Sequence, residues 1–180
     1  MKENTETKTY KKGEYIVYGL NGPCLVESVT KLSIPGLDDK RKYYVLRPVN
    51  APKSTIYCPI DNDKVSIRDI MSKSEAQKLL REVPKISRVR IENEKVREEP
   101  YKEIIKQGNF KKCVGLLKAL HSKRQSRMDE GRKFTTIDEK YLREIEGMLC
   151  SELSIALGEE REKTTKKLWD KIENKAKKKK

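Results

Sequence analysis

Residues 12–29 decide the fold of the first part of the chain, and they read KGEYIVYGLNGPCLVESV. Residue types that favour β-strands occur here at spacings that suit a pleated surface: Tyr15, Val17, Leu25 and Val29. Between them, residues 19–23 (GLNGP) supply the glycine, asparagine and proline of a tight turn. The stretch predicts strand, turn, strand, and such tightly joined short strands suit a small barrel or a strongly bent sheet.

Three more short strands are predicted downstream, at residues 43–49, 54–60 and 65–68. Loops rich in turn-forming residues separate them, among them residues 35–40 (PGLDDK) and 61–64 (DNDK). Short connections join antiparallel neighbours, because parallel strands need a long crossover. The first 70 residues therefore predict an antiparallel β domain.

The apolar period changes to a helical one at Ser72, where SKSE matches a capping box. The helix that starts there is expected to run to about residue 82, because Pro84 follows. Residues 84–97 contain several basic and few apolar residues, which indicates a linker or a basic arm.

Four further helices are predicted after this linker. One starts near Pro100 and ends at Gly108, and Asn109 caps the next, which has an apolar face. A second capping box at Thr136 (TIDE) starts a long helix that Gly158 ends or interrupts. Residues 159–176 indicate one more charged helix, followed by a lysine tail.

The charge is distributed unevenly along the chain. The net charge is +14 in total, but +3 over residues 1–70 and +11 over residues 71–180, whereas six of eight tyrosines lie in the first segment. A strongly basic helical domain indicates a polyanionic partner, nucleic acid first and anionic lipid second. The alternative is that the positive excess only keeps the protein soluble.

Several classes of function are disfavoured. The N-terminus has no apolar signal sequence and no apolar run approaches the length of a membrane span, so we expect a cytoplasmic protein. The four cysteines are far apart and form no CxxC pair, which argues against zinc binding and favours core-facing thiols. His121 is the only histidine, and no glycine-rich phosphate loop or hydrolase motif is present, so we expect no enzyme.

The most informative basic stretch is the loop at residues 123–133. Five cations occur in these eleven residues: Lys123, Arg124, Arg127, Arg132 and Lys133. Helices with apolar faces flank the loop and would hold these charges on one phosphate track, which positions a duplex without reading its sequence. The alternative is an ordinary solvated helix end, partly compensated by Asp129 and Glu130.

Three stretches, taken together and in this order, resemble the CarD/CdnL family of bacterial transcription regulators. They are residues 12–22 (KGEYIVYGLNG), 43–46 (YYVL) and 54–62 (STIYCPIDN). The same module is similar to the polymerase-interaction domain of transcription-repair coupling factor. The resemblance covers residues 10–70 well and extends more weakly to about residue 157. It implies a Tudor-like small barrel that binds the β-subunit of bacterial RNA polymerase.

The resemblance also implies which residues dock on the polymerase. Family contacts come from the strand after the glycine turn and from the strand that ends in proline. The matching residues are Leu32, Ser33, Ile34, Thr55, Ile56 and Tyr57. Because Leu32 and Tyr57 replace basic residues common in the family, the docking face is expected to be more apolar here.

The helical domain of the family touches promoter DNA upstream of the melting point and stabilises the open complex. It usually places a tryptophan there, at a position that falls near Glu94, where this chain has none. Trp169, the only tryptophan, is expected to anchor the C-terminal helix instead. DNA contacts would then rest on the basic tail or on cations of the linker and loop. The linker and loop cations are Lys95, Arg97, Lys123, Arg124, Arg127, Arg132 and Lys133.

The predicted fold class is α+β, with an N-terminal small Tudor- or SH3-like antiparallel β-barrel followed by an all-helical domain. The expected segments are a disordered N-terminus (1–9), the polymerase-interaction domain (10–70), a helix and basic linker (71–97), a helical DNA-contacting domain (98–158), and a charged helix with a basic tail (159–180). We expect a monomeric, non-enzymatic transcription regulator that binds the polymerase β-subunit and promoter DNA and modulates open-complex formation. No metal, cofactor, membrane or small-molecule substrate is expected.

Two alternatives remain. The first is a protein-interaction module tethered to RNA polymerase without direct DNA wedging, in which the basic half binds an acidic protein surface. The second is a general nucleic-acid-binding barrel, for instance for RNA, which the low net charge of residues 1–70 disfavours.

Overall fold

The computed structural model describes residues 8–177, with the side chains of residues 8–173. Most of the predicted disordered N-terminus and the last residues of the predicted lysine tail lie outside these residues. The chain divides into two compact units, Met1–Ile70 and Met71–Lys180. The first is built of β-strands and the second of helices, so the α+β class is confirmed.

The first unit is a five-stranded antiparallel sheet. Its strands are β1 (Tyr15–Tyr18), β2 (Pro23–Lys31), β3 (Lys42–Pro48), β4 (Ile56–Pro59) and β5 (Ile67–Asp69). They are ordered β4-β3-β2-β1-β5. A single 3-10 turn, Gly19–Asn21, joins β1 to β2, and Gly22 follows it with a φ of 67°. The predicted strand, turn, strand is confirmed.

The sheet is not closed into the predicted barrel. In the described part of the chain, β4 and β5 are its two edges and do not pair with each other. Both edges nevertheless contribute to one core, because Ile56 and Cys58 of β4 and Ile67 of β5 pack with Ile16 and Tyr44. The sheet therefore curls around its own apolar face but leaves its hydrogen-bond ladder open.

The second unit contains helices α1 (Lys73–Glu82), α2 (Glu98–Lys106), α3 (Phe110–Asp129), α4 (Thr136–Leu157) and α5 (Arg161–Lys177). Ser72 and Glu75 form the predicted capping box, and α1 ends in a 3-10 turn that contains Pro84. Asn109 caps α3, as predicted. Gly158 ends α4 in the left-handed conformation.

One predicted cap is wrong by a residue. The hydroxyl of Thr135, not Thr136, accepts the hydrogen bond from the backbone N–H of Asp138 at the start of α4. Thr135 also accepts a bond of 2.9 Å from Nη2 of Arg97. Two adjacent threonines offer the same local chemistry, and in the structure the one that also meets Arg97 is the cap.

The helical core lies between α3, α4 and α5, where Leu116, Leu120, Ile145, Leu153 and Leu168 are buried. The half-buried Trp169 packs against this core, which confirms its predicted anchoring role. All four cysteines are buried free thiols, as predicted. Within residues 8–177, no helix is both long and apolar enough to cross a membrane.

Candidate functional site

The predicted docking residues 55–57 lie on an edge of the sheet. Strand β4 pairs only with β3, in the register Leu46 to Ile56 and Val45 to Tyr57, so its other edge has no partner strand among the described residues. The side chain of Ile56 packs on the core, whereas Thr55 and Tyr57 are exposed. This edge offers backbone donors and acceptors together with a 39% exposed tyrosine ring.

The other predicted docking residues, 32–34, follow the last residue of β2. Leu32 and Ile34 are half-buried and Ser33 is exposed. Lys31 pairs with Lys42, whose carbonyl accepts a hydrogen bond from the N–H of Ile60. Ile60 lies three residues beyond Tyr57, roughly 10 Å along the strand. Residues 55–57 therefore lie at the start of β4, whereas residues 32–34 lie near its Pro59 end and follow β2, which β3 separates from β4. The two predicted groups do not form one cluster.

Two small apolar pairs on the outer face of the sheet, separated by the ion pair of Arg47 and Glu27, were missed by the sequence reasoning. Tyr15 is 41% exposed and pairs with the half-buried Leu25, whose other neighbour is Arg47. In the adjacent strands Val45 is half-buried beside Tyr57. The sequence could have indicated these residues, because side chains alternate between the two faces of a strand. If Ile16 and Cys24 face the core, then Tyr15 and Leu25 must face outward.

In the helical unit, a groove of about 720 Å³ opens between residues 88–97, the second half of α3 and residues 130–135. Five of the seven predicted DNA-contacting residues line it: Lys95, Arg97, Lys123, Arg127 and Arg132. Arg124 and Lys133 belong to the same helix end and loop but do not line the groove. Arg88, which the sequence places in the predicted basic arm but not among the DNA-contacting residues, lines the groove as well and donates a hydrogen bond of 2.7 Å to the hydroxyl of Ser122.

Two of these cations are bound to Asp138, a carboxylate of α4 with no exposed surface. Arg97 donates through Nε to Oδ1 at 2.7 Å, and Nζ of Lys123 lies 2.9 Å from Oδ2. The hydroxyl of Tyr101 donates to Oδ1 at 3.1 Å. Burial raises the pKa of Asp138, but hydrogen bonds from Lys123, Arg97 and Thr135 outweigh it and leave the pKa below its usual value.

This cluster gives Arg97 and Lys123 a different role from the predicted one. Their side chains are only 15% and 20% exposed, and Lys123 also binds the carboxylate of Glu94. Their charges neutralise buried or neighbouring carboxylates, so little charge remains for phosphates. They fix residues 94–97 against α3 and α4.

The other predicted cations remain available. Lys95, Arg124 and Lys133 make no ion pair within residues 8–173, and Lys95 and Lys133 are exposed. Arg127 donates to the carbonyl of Lys133, and the 70% exposed Arg132 pairs with Glu130 at 3.3 Å. The predicted loop at residues 123–133 is wrong in part, because residues 123–129 belong to α3. The end of α3, the short loop after it and Lys95 therefore present a cationic surface that two carboxylate-bound neighbours hold in place.

Comparison with known protein families matches residues 10–71 to the CarD-like/TRCF RID domain. No curated protein matches the chain. The match covers all five strands of the β-sheet unit but not its first nine residues, and the helical unit lies outside it apart from Met71. The chain therefore carries an RNA polymerase-interacting domain of this family. In the part of the chain that the structure describes, no group of His, Cys, Asp or Glu is arranged to hold a metal ion.

Proposed function

We propose that this protein, with its CarD-like/TRCF RID domain, is a non-enzymatic, cytoplasmic transcription regulator that binds the β-subunit of bacterial RNA polymerase through a Tudor-like sheet. Its helical unit contacts upstream promoter DNA and modulates open-complex formation. The domain match at residues 10–71 carries the proposal. The cationic surface of the helical unit supports its DNA half, because phosphate contacts supply most sequence-independent affinity.

The polymerase interface combines strand β4 with the residues after β2. Ile56 and Tyr57, with Thr55 just before them, offer a strand edge without a partner among the described residues, which suits addition of a strand from the polymerase. Leu32, Ser33 and Ile34 form a second contact region near the far end of β4. An apolar interface of this kind predicts weak salt dependence, in contrast to the DNA contact.

Binding of the full chain to a purified fragment of the polymerase β-subunit tests the interface. We expect Ile34→Glu and Tyr57→Glu each to weaken binding at least tenfold, because a buried, unpaired carboxylate is costly. Leu20→Glu is the matched control, since Leu20 is a 50% exposed apolar residue of the same unit outside the interface. Absence of binding by the unmodified chain would refute the proposal.

The DNA contact rests on Lys95, Arg124, Arg127, Arg132 and Lys133, with Arg97 and Lys123 holding the surface rather than touching phosphate. Attachment to the polymerase raises the local concentration of the helical unit at the promoter, so weak phosphate contacts suffice. The unit needs neither high intrinsic affinity nor base-specific contacts.

Charge reversal tests the DNA half. In Arg124→Glu/Lys133→Glu we expect weaker binding to duplex promoter DNA and a shallower salt dependence, by about 0.9 in the logarithmic slope for each phosphate that the protein no longer neutralises. Lys40→Glu/Lys53→Glu makes the same charge change on exposed residues of the β unit and is expected to leave both quantities unchanged. Unaltered binding across salt in the first variant would remove DNA from the proposal.

The second candidate function is a protein-interaction module that is tethered to RNA polymerase but does not wedge into DNA. Its support is that Glu94 lies where the family's tryptophan is expected and is bound to Lys123. The nearest exposed apolar side chain is Val96, at 57%. Aliphatic side chains also serve as DNA wedges. Val96→Ser should reduce open-complex lifetime if Val96 acts in this way, and should leave it unchanged in the second candidate function.

A further inference from the structure

We propose that the groove of the helical unit binds one unpaired nucleotide of a DNA strand, with its base on the apolar end and its phosphate at the cationic end. The inference rests on the proposed DNA contact and goes beyond it by specifying the form of DNA that is bound. A helical unit that only followed the phosphates of a duplex would need cations but no apolar groove.

Along α3, one end of the groove is apolar and the other end is cationic. Its apolar end presents the half-buried side chains of Val89, Ile91 and Ala119, which lie over the fully buried Leu116 and Leu120. This end lies near the point where the N–H of Val89 donates to the carbonyl of Gly115 at 3.1 Å. The cationic end contains Lys95, Arg127 and Arg132. From residue 119 to residue 127, α3 rises roughly 12 Å. The side chain of a helical residue leans back toward the N-terminus of its helix, so the distance from the floor to the Arg127 guanidinium is shorter and suits one base and its own phosphate.

The groove is held open by contacts that do not depend on a ligand. Nζ of Lys118 binds the carbonyls of Val83 and Ile86, which fixes the start of the wall against α3. The bonds from Arg97 and Lys123 to Asp138 fix its other end. A preformed groove loses little conformational entropy on binding. Its volume of about 720 Å³ is within the usual range for small-ligand sites.

The composition of the lining favours a nucleotide within a strand. Flat bases are held between apolar side chains when they leave the stack, and the aliphatic floor supplies such a surface. Glu94 and Glu130 also line the groove. Their negative charges repel a free di- or triphosphate more strongly than they repel the single charge of a phosphodiester.

The test compares three fluorescein-labelled hairpin DNAs with the full chain: one blunt, one with a single unpaired thymidine at the end, and one with an abasic nucleotide there. The abasic probe keeps the phosphate and removes the base. We expect the thymidine probe to bind about tenfold more tightly than the other two, as one well-packed base contributes. Equal affinity for the thymidine and abasic probes would overturn the proposal.

Filling the apolar end supplies the matched variants. Ala119 is half-buried on the floor, so Ala119→Leu should remove the preference for the thymidine probe while binding of the blunt hairpin stays. Ala119→Ser keeps the space and should keep the preference. Ala119→Met fills the same space with a flexible side chain and repeats the test, and circular dichroism at 222 nm checks that both variants are folded. Retention of the preference in both Ala119→Leu and Ala119→Met would refute the assignment.

Three other outcomes are separated by the same assay. If micromolar thymidine monophosphate displaces the thymidine probe, the occupant is a free nucleotide and the strand assignment is wrong. If no hairpin binds at any salt concentration, the proposed DNA contact itself fails. If all three hairpins bind equally, the DNA contact stands and only the groove assignment falls.

Discussion

Replacing Asp138 with asparagine is the sharpest test of the buried ion-pair cluster. The side chain keeps its shape, but the negative charge between Arg97 and Lys123 is removed. Asp138 has no exposed surface, and the two cations are 15% and 20% exposed, so water replaces the missing charge poorly. We expect a large loss of stability of the helical unit from a change of a few atoms.

The magnitude follows from what remains beside the two cations. Removing one partner of a buried ion pair costs about 3 to 5 kcal/mol. Glu94 lies 3.7 Å from Nε of Arg97 and also contacts Lys123, so part of the compensation persists. We therefore expect a decrease of about 3 kcal/mol in the free energy of unfolding. For a unit of this size the melting temperature should fall by about 10 °C.

Circular dichroism at 222 nm during thermal and urea unfolding measures this loss, because it reports on the helices. Asp129→Asn is the control: the same substitution on an exposed residue of α3 should change the free energy of unfolding by less than about 0.5 kcal/mol. A decrease below about 1 kcal/mol in Asp138→Asn would refute the assigned role of the cluster.

The pH dependence checks the same cluster independently. The pKa of Asp138 is lower in the folded protein than its usual value, so its contribution is complete above the unfolded pKa of about 4. It is lost as the pH falls through the lower, folded pKa. In Asp138→Asn, the part of acid destabilisation below pH 4 that comes from this carboxyl should be absent. An unchanged acid profile would show that another carboxyl dominates.

Three further outcomes are expected. Gly115→Ala should destabilise the helical unit by about 1 to 3 kcal/mol in urea unfolding, because the added Cβ would lie 2.8 Å from a backbone oxygen of the neighbouring segment. The control is Gly131→Ala, whose Cβ would meet no atom within 4 Å, so that its only cost is the strain of an alanine in the left-handed conformation. Lys118→Met should cost about 1 to 3 kcal/mol by the same measurement, because two backbone carbonyls lose their donor; a neutral result would mean that water replaces it. Burial raises the pKa of Cys24 to about 12, so this thiol should react with a disulfide reagent only in denaturant, and rapid native labelling would contradict its position.

The parts of the fold set by local chemistry were predictable from the sequence. The caps at Ser72, Asn109 and Gly158 follow from side chains that satisfy backbone groups three or four residues away, or from a glycine that adopts a positive φ. The turn at residues 19–22 follows in the same way. Whether β4 and β5 pair depends on the curvature of the whole sheet, which strand alternation does not encode, and the predicted barrel was therefore not obtained.

Only the basic composition of the candidate site could be predicted from the sequence, not its geometry. A cluster of lysines and arginines at residues 95–133 indicates a basic surface, but it does not indicate which of them a buried carboxylate binds. Asp138 is 41 residues from Arg97, and in the sequence it resembles an ordinary acidic residue in the first turn of a helix. The groove was missed for the same reason, since its walls come from three separate segments.

An unpaired strand edge is also a route to self-association. Strand β4 is only four residues long, and its last residue is Pro59, which has no N–H to offer a second copy. β5, at the other edge, has three residues. Short edges with proline are a common defence against edge-to-edge aggregation. The polymerase strand that we propose for this edge must therefore be short, and its affinity must come largely from side chains beyond the ladder.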